Sequence, residues 1–178
     1  MLKILAIVAA CLGVFVVAVL VYAATEPDTF QVKRSVTIKA PPDKVYPLIN
    51  DYRQWTAWSP YENKDPQMKR TYSGATSGKG ATYAWEGNSN VGGGNMTIAD
   101  ATPPSKVMIK LNMVKPISAR NDVAFTLVPQ GASTTVTWDM QGQVPYFAKI
   151  IHVFFDMDKM VGSDFEAGLA NLKTVAEK

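Results

Sequence analysis

From Phe30 onward the chain alternates. In FQVKRSVTIKA, Val32, Val36 and Ile38 share one parity, while Lys33, Ser35, Thr37 and Lys39 share the other. Period two with β-branched residues predicts a half-buried strand. PPDKVYPLIND follows, its prolines suiting a helix start. Val45, Leu48 and Ile49 then recur at helical spacing, but Pro47 removes a hydrogen bond from a helix interior, so a short or kinked helix is expected. YRQWTAWSPYENKDP carries two tryptophans and two prolines and reads as a helical turn with a loop.

Five alternating runs come next, divided by turn signals: MKRTYSG, GATYAWEG, GNMTIADA, SKVMIKLNM and DVAFTLVPQGASTTVTWDMQG, the last folding back at PQGAS. They predict six more strands, seven in all. Their apolar parities are Tyr83 and Trp85; Met96 and Ile98; Val107, Ile109, Leu111 and Met113; Val123, Phe125 and Leu127; and Val136, Trp138 and Met140. Consecutive hairpins with one apolar face describe an antiparallel sheet covered on one side. The cover is the C-terminal segment. After Pro145, apolar residues recur at Ile150, Phe154, Met157, Val161, Phe165, Leu169, Leu172 and Val175, which predicts one long amphipathic helix. The order is α+β, with helices gathered on one face of a curved sheet.

Ahead of this lies ILAIVAACLGVFVVAVLVYAA, Ile4 to Ala24, without a charge. As a helix it spans roughly 31 Å, about the thickness of a bilayer's hydrocarbon core. A transmembrane anchor and a cleaved signal peptide compete for it. The run exceeds the usual signal core of about 7–15 residues, and Tyr22 before Ala23 and Ala24 makes a poor cleavage site, so an anchor is expected. Lys3 on one flank, with Glu26 and Asp28 on the other, places the N-terminus in the cytoplasm and the rest in the periplasm or outside the cell. Residues 1–25 are thus read as the anchor, 26–29 as a linker too short for independent motion, and 30–178 as one domain.

Four stretches carry a resemblance: VKRSVTIKAPPDKVYPLIND, WTAWSPYENKDP, GKGATYAWEGN and VTWDMQG, completed by the final MVGSDFEAGLANLK. With this element order the chain resembles the SRPBCC (START-like) superfamily and, within it, the polyketide cyclase/dehydrase and lipid-transport family. The resemblance implies a helix-grip fold, in which a seven-stranded curved antiparallel sheet wraps a long C-terminal helix around a cavity for a hydrophobic ligand. Such pockets are apolar, of order 300–1,000 Å³, with a few orienting polar groups. The expected lining is Tyr83, Trp85, Met96, Ile98, Ile109, Leu111, Phe125, Trp138, Met140, Phe154, Met157 and Val161. Each of these also suits a plain core. Trp55 and Trp58 have two readings: packing at the junction of the short helices and the sheet, or an entrance facing the membrane.

Composition narrows the chemistry. Lys and Arg number 18 against 15 Asp and Glu, with no basic stripe, so nucleic acid is not an expected partner. The lone cysteine, Cys11, and the lone histidine, His152, exclude an internal disulfide and make a metal site unexpected. No cofactor is expected. Arg34 has the parity of the covered face and would need a carboxylate or an anionic ligand if buried. His152 suits acid–base chemistry near neutral pH but has no evident partner. Both are weak catalytic candidates, and Asp100, at a strand end, is weaker still. A hydrophobic-ligand or lipid carrier is therefore favoured over a cyclase or dehydratase on the same cavity, and over a ligand-free interaction protein at the membrane. The glycine-rich EGNSNVGGG lacks the Gly-Lys-Ser/Thr and following helix of a phosphate loop. It reads as a connection between strands, with a bulge or bend.

Overall fold

The computed structural model describes residues 1–153 and 156–178, with only the backbone of Leu2 and His152. An apolar helix, α1 (Leu2–Thr25), leads into strand β1 (Thr29–Ile38), helix α2 (Pro42–Asn50), a 3₁₀ segment (Tyr52–Ala57) and helix α3 (Pro60–Lys64). Strands β2 (Lys69–Gly74), β3 (Ala81–Glu86), β4 (Gly93–Thr102), β5 (Lys106–Lys115), β6 (Ala119–Gln130) and β7 (Ser133–Gln143) follow, then helices α4 (Tyr146–His152) and α5 (Met157–Ala176). The strands form one antiparallel sheet in the order β1-β7-β6-β5-β4-β3-β2. Hairpin after hairpin extends the sheet, and β1 closes against the last strand to be made. This is the helix-grip arrangement.

Pro47 lies inside α2, which ends three residues later; the Asp51 amide donates to the Pro47 carbonyl. The glycines behave as turn and bend formers. Gly92 has φ +62°, a conformation that favours glycine, and its carbonyl accepts from Gly87 N–H. Between Gly93 and Gly94 the pairing with β5 shifts register, marking a bulge. A second shift, between Ile98 and Asp100, turns Asp100, near the end of β4, to the outer face, where it meets Lys79.

The C-terminal segment departs from the expected single helix. It is broken: α4 ends at His152, and α5 starts afresh behind Asp156, whose Oδ1 accepts from Lys159 N–H as an N-cap. Helix α5 then runs along only the later half of β1. Arg34 Nε donates to Glu166 Oε1 at 2.7 Å, Lys173 Nζ donates to the Thr37 carbonyl, and Lys39 N–H donates to Glu177 Oε1 at 2.6 Å. The consequence for function is that α5 meets the β1 side of the sheet, and its contacts with β1 lie from Arg34 onward.

Candidate functional site

The inner face divides into a closed and a half-open part. The closed part lies under α5 and the short helices. Trp138 stacks on Phe165 with centroids 4.0 Å apart, and Phe125 lies 4.9 Å from Trp138. Trp55 and Trp58 meet both from above, at 5.8 to 6.4 Å. Ile98, Ile109, Leu127, Leu169 and Leu172 complete a close-packed core. Phe125, Trp138, Ile98 and Ile109, all expected to line a cavity, are buried in this part, with the rings of Phe125 and Trp138 in mutual contact.

Trp55 and Trp58 sit at the junction of the short helices and the sheet. Both are buried. Trp55 Nε1 donates to the Ile49 carbonyl at 2.9 Å and Trp58 Nε1 to that of Leu48 at 2.8 Å. These carbonyls belong to the last turn of α2, which has no intrahelical donors for them. The tryptophans cap a helix end and fill the junction at once, so neither ring is free to face lipid.

The half-open part lies at the end of the sheet where β1 begins and β7 ends. Register places Thr29 beside Gln143, Gly142 beside Asn121, and Met113 beside both Ala119 and Gly94. Here the inward residues Phe30, Trp85, Leu111, Met113, Asn121 and Gly142 are only partly buried, while Met96, Val123 and Met140 behind them are buried. Trp85 stacks on Tyr83 at 5.9 Å, and its Nε1 donates to the Val91 carbonyl. A Cβ on Gly94 would strike that indole at 2.8 Å, so the glycine run gives Trp85 its bed. Met157 and Val161, at the start of α5, are also half-buried. Phe154 lies outside the described residues, as does the side chain of His152.

A cleft of about 1770 Å³ wraps this end of the sheet, between Pro27–Gln31 and Val144–Tyr146. Phe30, Met113, Asn121 and Gly142 reach it from the inner face, and Gln31, Lys110, Asn112 and Gln141 from the outer. No residue of α5 walls it, so the concavity is not the enclosed space between sheet and helix that the sequence suggested. Asn121 Oδ1 is buried here without a hydrogen-bond donor.

Two charged groups on the inner face are held by partners. Arg34 donates through Nη2 to Asp158 Oδ2 at 2.8 Å and through Nε to Glu166, which pushes its pKa up and holds the Asp158 carboxyl below its usual range. Arg34 therefore clasps β1 to α5. Glu62 is buried and accepts from Arg70 Nε at 2.7 Å and from the Tyr83 hydroxyl at 3.1 Å. Burial, then the Glu62 charge, push the Tyr83 pKa up, so the phenol stays protonated and donates. Sequence reasoning missed the Glu62–Arg70 pair. Arg70 shares parity with Tyr72 on β2, a signal that was legible; Glu62 sits on a five-residue helix with no periodicity to read. Among the described residues no three His, Cys, Asp or Glu side chains gather as a metal site.

Helix α1 stands clear of the domain over most of its length, and Lys3–Thr25 is long and apolar enough to cross a membrane, a test that a signal sequence also passes. At its end, Tyr146 Oη donates to the Leu20 carbonyl at 2.8 Å. The buried Lys149 Nζ donates to the Glu26 carbonyl and to Asp28 Oδ1 at 2.6 Å, tying α4 to the linker.

Solved structures share this architecture. The protein CV1439 from Chromobacterium violaceum is 13% identical, with a TM-score of 0.59 over 86% of this chain and 99% of its own. Aha1 from Colwellia psychrerythraea is 16% identical, with a TM-score of 0.60 over 83% and 96%. The di-domain ARO/CYC protein BexL, from the BE-7585A biosynthetic pathway, is 15% identical with a TM-score of 0.60, over 89% of this chain and 53% of its own. At such identities the likeness concerns the fold. No curated protein matches the chain. The family model for polyketide cyclase/dehydrase and lipid transport matches residues 29–177, everything after α1 and its short link, and the chain belongs to that family.

Proposed function

We propose that this protein is a membrane-anchored binding domain, facing the periplasm or cell exterior, that holds a hydrophobic small molecule or lipid at the half-open end of its inner face. One observation carries the reading. The inner face is largely apolar and its charged groups are paired, yet Trp85, Leu111 and Met113 are only partly buried at one end while Phe125 and Trp138, under α5 and the short helices, are sealed. Apolar surface left open on an otherwise close-packed face marks a ligand site. Methionine suits varied ligands because its thioether is flexible and polarizable.

Carriage is favoured over cyclisation. General acid–base chemistry needs a group free to exchange its proton near neutral pH. Arg34 and Glu62 are both engaged by structural partners, and Tyr83 is held protonated.

The test is native mass spectrometry on the full chain, purified gently from its own source. A hydrophobic molecule retained at one per chain, and lost from Leu111→Arg, is the expected result. A chain that carries nothing, and whose Leu111→Arg variant binds hydrophobic probes equally well, would overturn the reading.

A further inference from the structure

Helix α4 is tied to α1 at a level that fixes its surroundings. Tyr146 bonds to Leu20, five residues before α1 ends, and Lys149 bonds to Glu26, one residue after it. Helix α4 therefore lies alongside the last turns of α1. A bilayer's hydrocarbon core takes about 20 helical residues, and α1 has 24, so its last turns reach the boundary between chains and headgroups. Whatever surrounds those turns also surrounds α4.

The free side of α4 suits that boundary. Tyr146 and Lys149 turn toward α1 and its link. Phe147 and Ile151, four apart and so on one helix face, are 52% and 41% exposed. The turn between β5 and β6 lies at the same end of the sheet, since Met113 pairs with Ala119 there and Gly142 with Asn121. The turn shows Ile117, 51% exposed, and the end of β5 just before it shows Val114, 56% exposed. Tyr22, also exposed, adds an aromatic ring of the kind favoured at membrane interfaces. Apolar side chains held beside the exit point of a spanning helix gain by entering lipid, and α4 has no other cover among the described residues.

We propose that α4 and the β5–β6 turn dock into the outer boundary of the bilayer that α1 crosses. The half-open end of the inner face is thereby held against the lipid surface. The inference rests on the reading of α1 as an anchor. It gives the ligand site a direct source, because a lipid or lipid-dissolved molecule can enter without crossing water.

The test uses the full chain in phosphatidylcholine vesicles, with Cys11→Ser as background and single cysteines at Phe147, Ile117 and Val128, each carrying an environment-sensitive fluorophore. Val128 is exposed at the opposite end of the sheet, near the β6–β7 turn. Labels at 147 and 117 are expected to shift to the blue and to be quenched by bilayer-borne quenchers, while the label at 128 stays in water. Labels at 147 and 117 as wet as that at 128 would overturn the proposal. So would shielding that grows with protein density in the membrane and escapes lipid quenchers, which would mark a second copy as the cover. Because no ligand enters this measurement, its failure is distinct from failure of the binding site. A second variant, Phe147→Asp with Ile117→Asp, is expected to slow uptake of a fluorescent lipid from vesicles at least tenfold while leaving the amount bound at equilibrium unchanged. Uptake as fast as in the native chain would also count against docking.

Discussion

The guanidinium of Arg34 lies directly over Gly162. A Cβ at position 162 would collide with Arg34 Nη2, and the same guanidinium is held by Asp158 and Glu166, one turn before and one turn after the glycine. The glycine weakens α5 locally by about 1 kcal/mol relative to alanine, and the gap it leaves is where β1 and α5 are joined.

This relationship predicts that the effect of one substitution depends on its background. In the native chain Gly162→Ala displaces the arginine and gains nothing overall. In an Arg34→Ala background the collision is gone, and the same substitution is expected to stabilise by about 0.5–1 kcal/mol through helix propensity alone. Denaturant titrations of the four chains give the coupling, expected near 1 kcal/mol. Additive effects would refute the contact.

Trp58 predicts a stability effect where a membrane role would predict none. It is buried against Phe125 and Trp138. Trp58→Ala is expected to cost about 3–5 kcal/mol, a large share of a domain's usual stability. Trp58→Phe keeps most of the packing and loses only the bond to Leu48, so about 1–2 kcal/mol is expected. Calorimetric unfolding of both variants checks the ordering.

The Glu62–Arg70 pair predicts recovery on double replacement. Glu62→Leu alone leaves the partly buried Arg70 guanidinium with only the Pro66 and Met68 carbonyls as partners and is expected to destabilise by about 2–3 kcal/mol. Glu62→Leu with Arg70→Met removes both charges, and most of the loss should return. If the double variant is as unstable as the single, the carboxylate has a further task, and its bond to Tyr83 is where to look.

Acid should loosen α5 from β1. Asp158 and Glu177 are each held below their ordinary values of 3.8 and 4.5, the first mainly by Arg34 and the second mainly by the Lys39 amide. A carboxylate lowered in the folded state adds stability above its unfolded value and loses it as pH falls through the folded one. Stability contributed by both ends of α5 is therefore present above about pH 5 and declines as the pH drops below 4. Amide exchange in α5 measured down this range should rise before exchange in β5 and β6.

Alternation alone placed all seven strands and the faces of Val32, Phe125, Trp138 and Met140, because a one-residue slip would turn each apolar set to water. Family membership was likewise legible, since element order and a few turn motifs persist where identity does not. Three things waited for the tertiary structure. The bulge before Asp100 reversed its face, and bulges depend on the neighbouring strand. The break between α4 and α5 was hidden, because apolar spacing continues across it while Asp156 caps a new helix. Most consequential, the sheet's inner face is sealed at one end and half-open at the other. Trp138 and Trp85 have the same pattern in sequence. Only the placement of α5, which stacks Phe165 on Trp138 and makes no comparable contact with β3, decides that Trp138 is sealed while Trp85 stays partly open.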